Sequence, residues 1–266
     1  RAGQFLTPFG QFPERLHPAW INKLPDFPLI YQEEGGLVPF SNLGVELRGA
    51  VPVKSTKFNY AVYVANGSAL NTEDPDEAGQ LVGENFSDNN GNKAVGGRIG
   101  FLPIPQLEIG YSIQSAEVGA GDFSGTSALL QGVDVSYQRD SEALRGTLDL
   151  RAEWIWSSVD TATYDFDGSL GFGPVTFDNK RSGGYVQAAY RPTKLGGWIK
   201  NVEGVCRYDL IDQPSGAPGS FDEQRVTFGL NYWFGPSAVL KTAYQLDDSA
   251  EGGNRNGFFI QAAVGF

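Results

Sequence analysis

From Arg145 to Trp156 apolar and polar residues alternate. Leu148, Leu150, Ala152, Trp154 and Trp156 share one face, and Arg145, Thr147, Asp149, Arg151 and Glu153 share the other. A period of two is that of a β-strand, whose successive side chains point to opposite sides. The same alternation sets Val226, Phe228, Leu230, Tyr232 and Phe234 against Arg225, Thr227, Gly229 and Asn231. It also sets Leu107, Ile109, Tyr111 and Ile113 against Glu108, Gly110, Ser112 and Gln114. The pattern recurs along the whole chain and predicts about twelve strands, near residues 1–7, 43–53, 56–66, 93–102, 106–116, 128–139, 143–157, 183–191, 201–211, 224–234, 238–247 and 257–266. Most are as long as the 9 to 11 residues that carry a strand across a bilayer at a tilt.

The connections alternate in length. Short turns fall at Lys54-Ser55, Pro103-Ile-Pro105, Asp140-Ser-Glu142, Pro192 to Lys200 and Gly235-Pro-Ser237. Long connections run 8–42, 67–92, 117–127, 158–182, 212–223 and 248–256, and hold much of the Gly, Asn, Asp and Pro. Short turns on one rim and long loops on the other mark a transmembrane β-barrel, with the short turns periplasmic. The aromatic residues follow the same two rims. Phe101, Tyr137, Tyr190, Tyr232, Phe234 and Phe266 fall toward the short turns, and Trp154, Trp156, Tyr208, Tyr244 and Phe258 toward the long loops. Such girdles form because an aromatic ring is apolar while its N–H or O–H finds water at the interface. The last strand ends in Phe266, with Phe258, Ile260, Ala262 and Val264 on the same face, an ending that barrel-assembly machinery reads; it sets the C-terminus on the periplasmic side.

Composition narrows the class. The longest apolar runs, such as Val62 to Ala65, are far shorter than the roughly 20 residues of a spanning helix. A net charge of −11 argues against nucleic acid, whose phosphates require a basic surface. Cys206 is the single cysteine and reads as a small wall residue, so an intrachain disulfide or a Cys-based metal site is excluded. His17 is the single histidine, in a Pro-rich loop. Without a second His it implies neither a metal centre nor a hydrolytic dyad, and no phosphate cradle or other catalytic motif is present, so neither enzyme activity nor a cofactor is expected. The acidic stretches Glu73-Asp-Pro-Asp-Glu77 and Asp88-Asn-Asn-Gly-Asn92 lack full calcium-loop spacing and read as solvated loop. The chain has no Met and begins within a strand, so it is read as a piece of a longer protein, a single barrel domain over 1–266.

The face opposite the apolar one carries Arg48, Arg98, Arg145, Arg151, Arg191, Arg207, Arg225 and Lys241, interleaved with Glu46, Glu108, Asp134, Asp149, Glu153, Glu203 and Asp209. In a dry core such charges would be costly, so the economical reading is a wall facing a water-filled lumen. The candidate pore-lining set is Arg48, Arg98, Arg145, Asp149, Arg151, Glu153, Arg191, Arg207, Arg225 and Lys241. Eight bases against seven acids predict a weak preference for anions. The longest connection, 8–42, is unusually apolar, with Phe12, Leu16, Trp20, Leu24, Phe27, Leu29, Tyr31 and six prolines. It either folds inward to constrict the pore, packs on a neighbouring subunit, or forms a structured lid.

Three stretches carry a family likeness: Arg1-Ala-Gly-Gln-Phe-Leu-Thr-Pro-Phe-Gly10, Asn42-Leu-Gly-Val-Glu-Leu-Arg-Gly49 and Phe58-Asn-Tyr-Ala-Val-Tyr-Val-Ala-Asn-Gly67. In order, over about the first 67 residues, they resemble the phosphate-selective porin O and P family in its broad sense. The resemblance implies an outer-membrane barrel of about 16 strands, commonly trimeric, with one or more hairpins before Arg1. The family's phosphate ladder has no residue-by-residue match here, so phosphate selectivity is not carried over. The function expected is passive diffusion of small solutes or ions through a porin of the Gram-negative outer membrane, with lipid, assembly machinery and sister subunits as partners. The competing expectation is a structural barrel that sheathes or anchors a partner protein; a soluble antiparallel β protein is a third.

Overall fold

The computed structural model describes all residues except 33–34, 84–85, 89, 167–172, 250–254 and 266. The fold is all-β. Twelve strands form one antiparallel sheet, each hydrogen-bonded to its neighbours in chain order. They are β1 (Ala2–Leu6), β2 (Ser41–Val53), β3 (Thr56–Ala65), β6 (Ala94–Ile104), β7 (Leu107–Glu117), β8 (Ser127–Ser141), β9 (Gly146–Val159), β12 (Lys180–Arg191), β13 (Val202–Asp212), β14 (Glu223–Gly235), β15 (Ala238–Ser249) and β16 (Gly257–Val264). Two small hairpins stand on the long-loop rim: β4 (Ala69–Leu70) with β5 (Leu81–Val82), and β10 (Ala162–Tyr164) with β11 (Val175–Phe177). They were not foreseen, since strands of two or three residues carry no readable period. β1 and β16 each have one partner in the sheet, so the wall is open along one seam.

Strand parity follows the sequence pattern. Leu150, Trp156, Phe228, Leu230, Phe234, Ile109, Ile113, Phe258 and Ile260 are exposed on the outer face, while Glu108, Asp134, Asp149, Glu153, Glu203 and Asp209 are buried on the inner one. This inverts a soluble protein, and it is the arrangement that lipid outside and polar material inside would stabilise. Cys206 is exposed on the outer face. Of the girdle residues, Tyr190, Phe234, Trp156, Tyr208, Tyr244 and Phe258 are all exposed; Phe266 lies outside the described residues. The tight turn at Lys54-Ser55 is closed by Lys54 at φ 56° between the paired Val53 and Thr56.

One strand start differs from expectation. β9 begins at Gly146, and Arg145 closes the preceding turn at φ 54°, exposed, with its N–H donating to the Glu142 carbonyl. The period-two pattern reached back to Arg145, but the turn takes one more residue than Asp140 to Glu142. Arg145 is therefore on the rim and does not belong to the inner wall.

The two small hairpins pack with neighbouring strand ends into a hydrophobic cluster that includes Leu70, Val118, Val159, Tyr164, Phe177 and Ala217. Tyr164 stacks on Phe123 and Phe177 at centroid separations of 5.4 and 5.2 Å. The long-loop rim thus carries a packed roof. Within it, Asp74 accepts the Asp76 N–H at 2.9 Å to cap a short 3-10 turn, and Asp88 accepts the Gly91 N–H at 2.9 Å.

Candidate functional site: the inner wall and the loop docked on it

The described residues of the loop, 8–32 and 35–40, fold inward and lie along the inner face of the sheet. The loop opens with a single π-helical turn (Phe12–Leu16) and later makes one 3-10 turn (Leu29–Tyr31). Its apolar side chains Phe9, Phe12, Leu29, Ile30 and Tyr31 are buried against Leu130, Ile155, Tyr185 and Ile211 of the wall. Three inward-facing glycines make the room. A Cβ on Gly132 would sit 2.7 Å from the Phe9 ring, one on Gly183 3.0 Å from Ile30, and one on Gly229 2.5 Å from Leu24. Trp20 reaches the end of the sheet, where a Cβ on Gly265 would lie 2.5 Å from its indole.

The central anchor is Glu153 of β9, which is buried. Its Oε1 accepts the N–H groups of Gln11 and Phe12, each at 3.1 Å, and the Tyr185 hydroxyl at 3.1 Å; its Oε2 accepts the Tyr31 hydroxyl at 2.5 Å. Every partner is a donor, which suits an ionised carboxylate, an acceptor-only group. Burial, then the Glu153 charge, pushes the Tyr31 phenol well above its usual range, so it stays a donor. Gly10 is required beside this anchor. Its φ is +66°, and an added Cβ would lie 2.2 Å from Glu153 Oε2 and 2.3 Å from the Tyr31 oxygen.

Toward β2–β8 a second network surrounds Arg98, which donates to Asp134 at 2.6 and 2.9 Å and to Glu108 at 2.9 Å. The loop joins it through Gln11 to Asp134 at 2.6 Å and Arg15 to Glu108 at 2.8 Å. Arg48 pairs with Glu46 at 2.7 Å and with Glu14 of the loop, and Arg1 also reaches both acids. Of these residues, Arg1, Glu14, Arg15, Arg48 and Arg98 border a cavity of about 490 Å³. Four bases (Arg1, Arg15, Arg48, Arg98) meet four acids (Glu14, Glu46, Glu108, Asp134), so this side is balanced.

Across the lumen, Lys23 of the loop binds Glu203 at 2.5 Å and approaches Asp149 at 3.8 Å; Arg151 forks onto Asp149 at 2.7 and 2.8 Å. Arg207, wholly buried, binds Asp209 and the loop's Asp26, each at 2.6 Å. Arg225 binds Asp247 and Glu223 at 2.7 Å and lies 3.6 Å from Asp26. Lys241 donates to the Leu24 carbonyl at 3.3 Å and to Gln261 at 2.8 Å. Here five bases meet six acids, Asp149, Glu203, Asp209, Asp26, Glu223 and Asp247.

Of the ten expected wall residues, eight face inward and lie in these networks: Arg48, Arg98, Asp149, Arg151, Glu153, Arg207, Arg225 and Lys241. Arg191 shares the inward parity of Tyr185, Gln187 and Ala189 but stands at the short-turn end, outside these networks, donating to the Lys200 carbonyl at 2.9 Å with its guanidinium 5.3 Å from the buried Trp233 ring. Arg145 is the turn residue described above. Sequence reasoning missed Arg181, buried at the first inward position of β12, where it donates to the Ala78 carbonyl at 3.1 Å and ties the roof to the wall. Its parity matches that of Tyr185 and Gln187, so extending the strand by two residues would have found it. Also missed were Lys23 and Asp26, loop charges that no strand period reveals. His17 packs edge-on against Phe40 at 5.4 Å.

No protein-family model matches the chain, and no curated protein matches it in sequence. Among solved structures, the chain is similar to the β domain of the Bordetella autotransporter BrkA, with 16% identity, a TM-score of 0.37, and 85% of this chain against 90% of that one. It is also similar to the siderophore receptor PirA of Pseudomonas aeruginosa, with 13% identity, a TM-score of 0.40, and 83% of this chain against 37% of that one. The likeness to the porin O and P family rests on the three quoted stretches.

Proposed function

We propose that the chain forms most of the wall of a porin in the outer membrane of a Gram-negative bacterium, through which small solutes or ions pass by diffusion. The observation that supports this best is the pairing of a continuous apolar outer face with an inner face of buried, mutually bonded charges. In water that outer face would be an apolar patch far larger than the few hundred square ångströms a soluble monomer exposes. In lipid it needs no further partner, and the exposed aromatics at both rims sit where interfaces favour them. The docked loop narrows the lumen, leaving the balanced side and the acid-rich side as the walls of the path. Because the wall bases are paired, the arrangement offers no basis for the anion preference expected from counting them. Assembly as a trimer and the periplasmic C-terminus belong to the same reading.

The competing reading, a structural barrel that sheathes or anchors a partner, draws support from how fully the loop is bonded to the wall. Conductance separates the two. The protein purified from outer membranes and reconstituted in planar bilayers should show steady ohmic steps if it is a porin; a silent membrane containing folded protein would favour the structural barrel.

A further inference from the structure

The bases of the inner wall are bonded to the wall or the docked loop, but those of the short-turn rim are left over. Arg139, Arg145, Lys194 and Lys200 stand exposed at two of its turns, 140–145 and 192–201, against the acids Asp140 and Glu142. Lys194 binds Glu142, while Arg139, Arg145 and Lys200 make no ion pair among the described residues. The long-loop rim is the reverse. There Lys93 and Lys180 are taken up by Asp88 and Asp178, and the stretch from Glu73 to Glu77 is acidic without a base.

The two basic turns form one platform. They are neighbours because β9 pairs with β12; the Lys194 N–H donates to the Arg145 carbonyl at 3.1 Å, and the Tyr190 hydroxyl to the Leu144 carbonyl at 2.5 Å. Apolar side chains project from the same place. Leu144 is 50%, Trp198 69% and Ile199 41% exposed, and Phe234 at the nearby end of β14 is 69% exposed. They continue the outer apolar face past the strand ends. Arg139 belongs to that face itself, sharing the outward parity of Val133, Val135 and Tyr137 and lying opposite Leu148. A guanidinium there is costly unless its head reaches out of the hydrocarbon to a charged partner.

We infer that this platform binds anionic glycerophospholipids of the leaflet bordering the short turns, their phosphates held by Arg139, Arg145 and Lys200 and their chains covering Leu144, Trp198 and Phe234. The combination of free bases with uncovered apolar side chains selects this partner. An acidic protein segment or a soluble anion would answer the charges but leave Trp198 and Phe234 in water. A zwitterionic lipid would cover the rings, but its own cationic group would offset the attraction to the bases. Trp is favoured at headgroup level, where its ring is in the apolar edge and its N–H reaches water. The inference requires the barrel to lie in a membrane and goes beyond the channel reading, since it holds whether or not the lumen conducts.

The test is native mass spectrometry of the folded, detergent-solubilised protein titrated with phosphatidylglycerol, phosphatidylethanolamine and phosphatidylcholine of one acyl composition. Phosphatidylglycerol should bind roughly tenfold or more tightly than the other two, and the preference should shrink as salt is raised. Arg139→Gln, Arg145→Gln and Lys200→Gln should each reduce the preference roughly fivefold, the ratio that one base beside an anionic surface supplies, while Lys180→Gln on the opposite rim leaves it unchanged. Trp198→Ala should weaken all three lipids alike. These side chains are exposed, so each variant should keep the parent's heat-modifiable gel mobility. Equal affinity for the three lipids, or a preference that survives all three rim substitutions, would overturn the inference. Displacement of phosphatidylglycerol by glycerophosphate or by polyglutamate at matched concentration would also overturn it, placing a soluble anion or an acidic protein on the rim instead.

Discussion

Replacing Glu153 by glutamine tests whether the loop is held on the wall mainly by this anchor or mainly by apolar burial. The amide can keep its oxygen toward Gln11, Phe12 and Tyr185, and its nitrogen can donate to Tyr31, whose own proton is free to turn to the Phe9 carbonyl 3.2 Å away. No bond need be lost, but three bonds fall from charge-assisted to neutral strength at about 1 kcal/mol each, roughly 3 kcal/mol together. Against this stand five buried loop side chains, Phe9, Phe12, Leu29, Ile30 and Tyr31. At about 1.5–3 kcal/mol apiece, their burial contributes roughly 7–15 kcal/mol. Apolar burial wins, so the loop should stay docked in Glu153→Gln. Local opening around Gln11 and Phe12 should rise by about a hundredfold, the ratio that roughly 3 kcal/mol corresponds to. Hydrogen exchange of the peptide spanning Gln11 and Phe12, followed by mass spectrometry, should accelerate accordingly, while under the porin proposal the mean conductance stays near that of the parent. Unchanged exchange would refute the anchor. A several-fold rise in conductance would show that apolar burial does not hold the loop.

Leu230→Arg places a charge at the middle of β14 on the outer face and should destabilise the barrel by about 2–4 kcal/mol in a reversible folding assay, whereas Thr147→Arg, beside the short-turn rim, should cost little; equal costs would refute the parity. Thr227→Arg should be severe although it faces inward, because Thr227 is fully buried against the docked loop, and a mild effect by the same assay would place the loop elsewhere. Arg98→Ala leaves Asp134 and Glu108 without their main partner and should cost roughly 3–5 kcal/mol, measured by heat-modifiable gel mobility or urea unfolding. The Asp88 turn has a depressed carboxyl pKa, chiefly through its hydrogen bond from Lys93. Its contribution to order is therefore present above the ordinary aspartate value and lost as pH falls through the lower folded value; amide exchange at Asn90 and Gly91 should hold steady to about pH 4 and rise below it.

The wall was legible because its information is local. A period of two, kept up for ten residues or more, specifies strand, face and register without reference to any distant segment. The observed bounds Gly257–Val264 and Ala238–Ser249 lie within three residues of the expected 257–266 and 238–247. Errors gathered where a turn competes with the period, as at Arg145, or where a strand outruns its readable pattern, as at Arg181.

The docked loop was only half legible, for a physical reason. Its apolar content showed that it must bury itself somewhere, but the choice among pore, neighbour and roof depends on contacts between residues far apart in the chain, such as Gln11 with Glu153 or Lys23 with Glu203. The wall carried complementary signals that strand periodicity treats as noise. Gly132, Gly183 and Gly229 fall at inward positions on three separate strands, where glycine weakens a strand and is favoured only if something must approach closely. Each receives one loop side chain. The charges worked the same way. Arg207 faces Asp209 on its own strand and is completed by Asp26 from the loop, so counting wall bases against wall acids assigned an electrostatic character that the loop then cancels. Selectivity in such a wall belongs to groups that neither strand nor loop neutralises, and not to a count of bases against acids.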